Sequence, residues 1–189
     1  MRSKFYKIFF VDFNVKTIFF TIERLNLDCI ESLLHYYSYN RDHLEPWEPT
    51  RASEYYTLDF HIHRTQESLK LMDERKSLHY ILLNNSRNEI MGVCNYTDIG
   101  SIECWLGYSL SNRYQGLGYM YDALINTNNY IFREFQISRI NVGIIPRNSR
   151  SIKLIKRLSF ISSGSYKKLE INGGLEKLEI YRLKKNSID

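Results

Sequence analysis

An α/β (α+β) fold on a mixed, mostly antiparallel sheet is the class that three observations predict. Apolar, β-branched runs of strand length recur along the chain, bounded by turn residues. Between them stand two long segments, 58–74 and 117–135, with apolar positions at helical spacing. Near its end the chain carries two strand-like runs, 160–171 and 175–183, that read as a hairpin around Asn172-Gly173-Gly174. No internal repeat or low-complexity linker breaks the pattern, so 15–185 is expected to form a single domain.

The elements follow in order. Residues 1–14 are rich in Lys and Phe without a clear period and read as an N-terminal leader or loose strand. Residues 17–23 are β-branched and aromatic, which predicts the first strand. Asn26 or Asp28 can cap a helix carrying Cys29, Ile30, Leu33, Leu34 and Tyr37. In 40–49, Pro46 and Pro49 flank Trp47-Glu48 and predict an extended, rigid loop. Its Trp47 is either a pocket wall or a plug at the core edge. The helix over 58–74 holds His61 and His63, whose spacing of two puts them on different faces, so they read as solvated or core histidines rather than a metal pair. Strands are predicted over 78–83, 89–96 and 102–110. The long helix then presents Leu117, Met120, Tyr121, Leu124, Ile131 and Phe135 as its buried face. A strand over 139–145 ends at Pro146, and Asn148 or Ser149 caps a short helix with Ile152, Ile155 and Leu158.

Composition narrows the class of protein. The chain has 189 residues, long enough for a real core, and its 43% hydrophobic and 25% charged content is that of a globular protein. Fifteen tyrosines predict a core and pocket rich in rings. No run approaches the ~20 apolar residues of a membrane span, and no small-residue cleavage site follows the basic start, so neither a membrane segment nor a signal peptide is expected. Cys29, Cys94 and Cys104 are odd and sparse, which favours free thiols in a reducing cytoplasm. A net charge of +5 suits an anionic cofactor, or a ribosome or RNA nearby.

The stretch Arg113-Tyr114-Gln115-Gly116-Leu117-Gly118-Tyr119-Met120 carries the chemistry. Two glycines at a strand-to-helix junction let backbone approach a ligand, and the first amides of a helix have no internal partner. Such a loop can bind phosphate, with Arg113 adding charge; alone it could also be a glycine-relaxed helix start. Neither a Gly-x-x-x-x-Gly-Lys-Ser/Thr run nor a three-glycine dinucleotide pattern is present.

The pattern Arg/Gln-x-x-Gly-x-Gly/Ala resembles the acetyl-CoA loop of the GNAT superfamily of N-acetyltransferases. Asn40-Arg41-Asp42-His43-Leu44-Glu45-Pro46-Trp47-Glu48-Pro49 resembles the N-terminal signature of its ribosomal-protein alanine N-acetyltransferase (RimJ/RimL-type) branch. Leu106-Gly107-Tyr108-Ser109-Leu110 and Asn148-Ser149-Arg150-Ser151 resemble further blocks of that branch. The resemblance implies a GNAT fold: a central twisted sheet of about seven strands, flanked by helices, with the fourth (102–110) and fifth (139–145) splayed around acetyl-CoA. It makes 15–185 one N-acetyltransferase domain. It implies pantetheine contacts near Tyr108, Ser109 and Leu110, pyrophosphate contacts from Arg113, Gln115, Gly116, Leu117, Gly118 and Tyr119, and a cofactor contact from Asn148. Trp47 and Glu48 would line the acceptor groove, and no metal is implied.

The implied reaction is attack of a neutral amine on the thioester. An α-amine is neutral in about 10–15% of molecules at pH 7, a lysine amine in under about 0.1%. An α-amine therefore needs only a weak base. Gly143 and Ile155 stand where some relatives carry a Glu and a Tyr, and neither can move a proton. Ser151 fits the position implied for the proton donor to the departing thiolate. For the base, Glu103, Glu170 or a water chain remain open. The expected acceptor is a protein N-terminus, plausibly a ribosomal protein starting with Ala or Ser, with the enzyme a cytoplasmic monomer or homodimer. Two alternatives are an acetyltransferase for a polyamine or antibiotic amine, and a non-catalytic ribosome-assembly or RNA-binding module.

Overall fold

The computed structural model describes residues 15–17, 19–171 and 173–185. The leader or loose strand expected over 1–14 lies outside the described residues. The chain runs β1 (Val15–Lys16), β2 (Phe20–Arg24), α1 (Ile30–Tyr39), α2 (Arg41–Leu44), α3 (Leu58–Asp73), β3 (Leu78–Asn84), β4 (Ile90–Thr97), β5 (Glu103–Leu110), α4 (Tyr119–Phe135), β6 (Arg139–Ile144), α5 (Ser149–Arg157), β7 (Ile161–Ile171) and β8 (Gly174–Lys184). One sheet holds all eight strands in the order β1-β2-β3-β4-β5-β6-β8-β7. Every neighbouring pair is antiparallel except β5 and β6.

Two local readings change. The strand expected from Thr17 begins instead at Phe20. The Thr17 amide donates to the Phe20 carbonyl at 2.8 Å, and its hydroxyl accepts from the Phe20 amide at 3.0 Å. This tight turn folds Val15 back against Ile22 and adds a short edge strand, so the sheet has eight strands rather than seven. The segment 40–49 is also not extended throughout. Its first half winds into α2, with the Leu44 amide on the Asn40 carbonyl at 2.9 Å. Pro46, which has no amide proton, follows immediately and stops the winding.

The core packs the sheet against α4 and also against α1 and α3. Met120, Leu124 and Ile131 are buried as their spacing requires, each contributing about 1.5–3 kcal/mol if fully withdrawn from water. Leu117 is not part of that face: it precedes the helix and is 58% exposed. The tyrosine-rich core is present, with Tyr36, Tyr80 and Tyr96 among its largest enclosed side chains. The Tyr96 hydroxyl lies 2.7 Å from Asn128 Oδ1 and 2.8 Å from Thr127 Oγ1, so its burial strands no polar group. Cys29, Cys94 and Cys104 are free and buried, and desolvation raises all three thiols. Among the described residues no helix is long and apolar enough to cross a membrane.

Candidate active site

The site begins as a defect in the sheet. β5 pairs with β4 along most of its length, from Trp105 opposite Thr97 to Leu110 opposite Gly92. With β6 it pairs only at Glu103, Cys104 and Trp105, opposite Arg139, Ile140 and Asn141. β6 then follows β8 to Ile144 while β5 stays with β4. The splay implied for these two strands is present, and among the described residues the β6-facing edge of 106–110 has no ladder partner.

The closed end is pinned by polar groups. Arg139 pairs with Glu103. The buried Asn141 donates to the Cys104 carbonyl at 3.3 Å and accepts from Arg182 at 3.1 Å. Bonds from Asn141 and Arg139 hold the Glu103 carboxyl below the usual carboxylate range. Glu103 is thus a clamp at the apex, outside the cleft lining, and is not positioned as a base. Glu170 is exposed on β7, while its neighbour Leu169 faces the cleft. Strand alternation sends the two side chains to opposite faces, so the structure does not bring Glu170 to the cleft either.

The open end widens into a cleft of about 1110 Å³ between the splayed strands, the start of α4, α5 and the α2 loop. Gly116 (φ +75°) and Gly118 (φ +83°) adopt backbone that disfavours other residues, and a Cβ on either would meet only open space. α4 starts at Gly118 without a side-chain cap. Its first internal bond runs from the Asp122 amide to the Gly118 carbonyl at 3.1 Å, so the earlier amides are available at the rim. An open strand edge beside an uncapped helix start fits the pantetheine and pyrophosphate of acetyl-CoA.

Charge at this end comes from a different place than expected. Arg113 ion-pairs with Glu89 and does not line the cleft. Together with the Tyr114 hydroxyl, 3.0 Å from Glu89 Oε2, it anchors the loop to β4. The side chain of Leu117 also points away from the cleft. The cleft cations that α5 contributes are Arg150, Lys153 and Arg157, on one face of that helix. Their spacing of three and four, visible in the sequence, puts them on one side of a helix. Arg150 bonds Gln115 Oε1, Gln115 Nε2 reaches His43 Nε2 at 2.8 Å, and His43 bonds the Leu110 backbone. Burial lowers the His43 pKa, which keeps Nε2 free to accept from the amide.

At the centre stand Ser151 and Tyr108. Asn148 caps α5 by accepting from the Ser151 amide at 3.1 Å, and this fixes where the serine points. The Ser151 hydroxyl bonds the Tyr108 hydroxyl. Burial pushes the Tyr108 phenol far above its ordinary range, so it remains protonated. Ser109 turns the other way, with its hydroxyl 3.0 Å from the buried Tyr36 hydroxyl.

Another wall of the cleft carries Trp47 and Glu48. Arg147 stacks 4.8 Å from the Trp47 ring centroid, donates to the Pro46 carbonyl at 2.8 Å and pairs with Glu176 at 3.0 Å. Trp47 is therefore a half-buried cleft wall rather than a core plug. Glu48 is the only carboxylate among the described residues that line the cleft. Desolvation raises its pKa even though Arg51 lies 3.4 Å away and Arg64 is close. Arg64, from α3, donates to the Tyr55 hydroxyl at 2.6 Å and packs on the Tyr37 ring. His61 is core and His63 exposed, and among the described residues no group of three or more His, Cys, Asp or Glu could hold a metal.

Comparison with known proteins agrees with this geometry. The acetyltransferase (GNAT) domain family matches residues 20–161. The Escherichia coli [ribosomal protein uS5]-alanine N-acetyltransferase is 33% identical over 164 residues, 80% of this chain and 82% of that protein. The crystal structure of a ribosomal-protein-S5-alanine acetyltransferase from Vibrio fischeri superposes with a TM-score of 0.89 at 26% identity, covering 94% of this chain and all of that one. Mycobacterium smegmatis RimJ, in complex with CoA-disulfide, superposes at 0.81 with 18% identity over 89% of this chain and 83% of its own, a likeness of fold. The chain belongs to the acetyltransferase (GNAT) family and is an acetyl-CoA-dependent N-acetyltransferase.

Proposed function

We propose that the protein acetylates the N-terminal α-amine of a protein in the cytoplasm, and that the acceptor is a ribosomal protein beginning with Ala or Ser. The observation that carries this reading is the charge of the acceptor side, where Arg51 and Arg64 face the single carboxylate of Glu48. A polyamine or aminoglycoside would bring several cations to a wall that already carries two. A peptide N-terminus brings one ammonium, which Glu48 can receive, followed by carbonyls that guanidinium groups can bind. The 33% identity to an enzyme named for a ribosomal-protein alanine supports the same acceptor.

In this reading the α4 amides and the Arg150, Lys153 and Arg157 stripe hold the phosphates. The free edge of β5 at Tyr108, Ser109 and Leu110 pairs with the pantetheine, and Asn148 lies beside it. The incoming amine attacks the thioester carbonyl, the C–N bond forms and the C–S bond breaks. Ser151 supplies the proton to the departing sulfur, and the Tyr108 hydroxyl holds it in place. The test is transfer from labelled acetyl-CoA to a panel of N-terminal peptides and polyamines. Acetylation of Ala- and Ser-initiated peptides is expected; transfer confined to polyamines would sink the proposal.

A further inference from the structure

We infer that Glu48 is the proton acceptor that neutralises the incoming α-ammonium. The inference rests on the α-amine reading above and extends it to the step left open, the identity of the base. The two carboxylates suggested by sequence lie outside the cleft, Glu103 at the strand apex and Glu170 on the outer face of β7. Glu48 is inside, on the acceptor loop beside Trp47, with its side chain 21% exposed. Arg51 reaches Oε2 at a long 3.4 Å, and Oε1 carries no hydrogen bond among the described residues. One carboxylate oxygen is therefore free for a ligand N–H.

The surroundings set the group's basicity. Arg51 comes from its own loop, Arg64 from α3, Tyr36 from α1, and Tyr55 and Tyr56 from the 3-10 turn Ser53–Tyr56. The arginines favour the carboxylate, but burial outweighs them and the pKa is raised. That shift moves Glu48 towards the α-ammonium's range of about 7.7–8.0, which makes the proton transfer less uphill. The tyrosines near Glu48 that show a shift, Tyr36, Tyr55 and Tyr56, are held protonated and cannot serve as bases. His43, the remaining cleft base, spends its free nitrogen on Gln115.

The protons balance. The ammonium gives one proton to Glu48, which passes it to solvent. The neutral nitrogen attacks, and the second proton lost from nitrogen as the C–S bond breaks replaces the one Ser151 gives to sulfur. The products are the amide, CoA thiol and one released proton.

The test compares Glu48→Gln with wild type on two peptides at pH 7. One begins with Ala, and the other with trifluoroalanine, whose fluorines leave the amine already neutral. Glu48→Gln should lose about tenfold or more in kcat/KM on the Ala peptide, since only about 10–15% of that amine is neutral unaided. On the trifluoroalanyl peptide the loss should nearly vanish. Equal losses on both peptides would overturn the assignment, because a purely structural role does not distinguish amine pKa. A loss on the Ala peptide carried by KM alone, with kcat unchanged, would overturn it too, because that marks a carboxylate that only binds the ammonium. Two further readings stand apart from turnover. Acetyl-CoA affinity by calorimetry should be unchanged, and Glu48→Gln should be more stable than wild type at neutral pH but not in acid. That sign follows from the raised pKa: the carboxyl's contribution is present when protonated and lost as pH rises through its folded pKa. A wild type that transfers to neither peptide would refute the α-amine reading itself, and this assignment with it.

Discussion

Ser151→Ala should separate the chemistry from the scaffold. The substitution removes one hydroxyl and with it the bond to Tyr108. It keeps the Ser151 amide, which is the group that Asn148 caps at 3.1 Å. Losing a hydroxyl pair costs about 1 kcal/mol, and replacing Ser by Ala inside a helix returns part of that. The net change is under about 1 kcal/mol, a melting shift of no more than about 2–4 °C for a chain of this size. Catalysis should suffer far more. A positioned proton donor is worth about 10²–10⁴-fold, so kcat should fall by that factor while acetyl-CoA affinity holds. The assay is release of CoA thiol at saturating substrates, with calorimetric titration of acetyl-CoA beside it. Tyr108→Phe should give a smaller loss, and the double variant should be no worse than Ser151→Ala, because paired groups act as a unit. A kcat close to wild type would refute the proton-donor role, and a fully additive double variant would refute the pairing.

Other consequences can be measured directly. Gly92→Ala would place a Cβ 2.6 Å from the Ser109 carbonyl and 2.8 Å from Leu110 Cδ1, so β5 must move. It should destabilise by about 1–3 kcal/mol in thermal melts and weaken acetyl-CoA binding. Lys153→Ala and Arg157→Ala should raise the KM for acetyl-CoA and flatten its dependence on salt, since these cations act through a screened field. His43 has a depressed pKa, so its contribution is intact above the ordinary value of about 6.5 and is lost as pH falls through the folded value. Protonation sets an N–H against the Gln115 amide beside Arg150, and the KM for acetyl-CoA should climb in that acid window. His43→Gln should remove the pH dependence.

The parts of the fold legible in the sequence were those governed by local rules. The helical spacing of Met120, Leu124 and Ile131, and the Asn148 cap, depend on a few neighbouring residues and came out as read. The glycine loop was legible for the same reason: Gly116 and Gly118 have positive φ and few other residues tolerate it. What failed depended on distant partners. Arg113 was read as a phosphate ligand, but Glu89, a neighbour only in space, holds it. Glu103 had the right chemistry and alternation, yet lies on the wrong side of the splay because Arg139 and Asn141 close that end. Thr17 has strand propensity, but its hydroxyl and amide close a turn on Phe20. The cationic face of α5 could have been found by counting in threes and fours, although its aim towards the cleft could not.

Among the described residues only three ladder pairs, 103–105 with 139–141, join β1–β5 to the β6–β8–β7 unit of the sheet. The sheet therefore has a seam, and the long helix α4 runs across the interval between its two sides in the chain. Acetyl-CoA bound in the splay, as proposed above, would stitch that seam by hydrogen-bonding the open edge of β5. Binding to the folded state alone adds about 2.7 kcal/mol at a hundred times the dissociation constant. The stability of the fold should therefore rise with coenzyme concentration, so that the co-substrate also acts as a brace across the sheet.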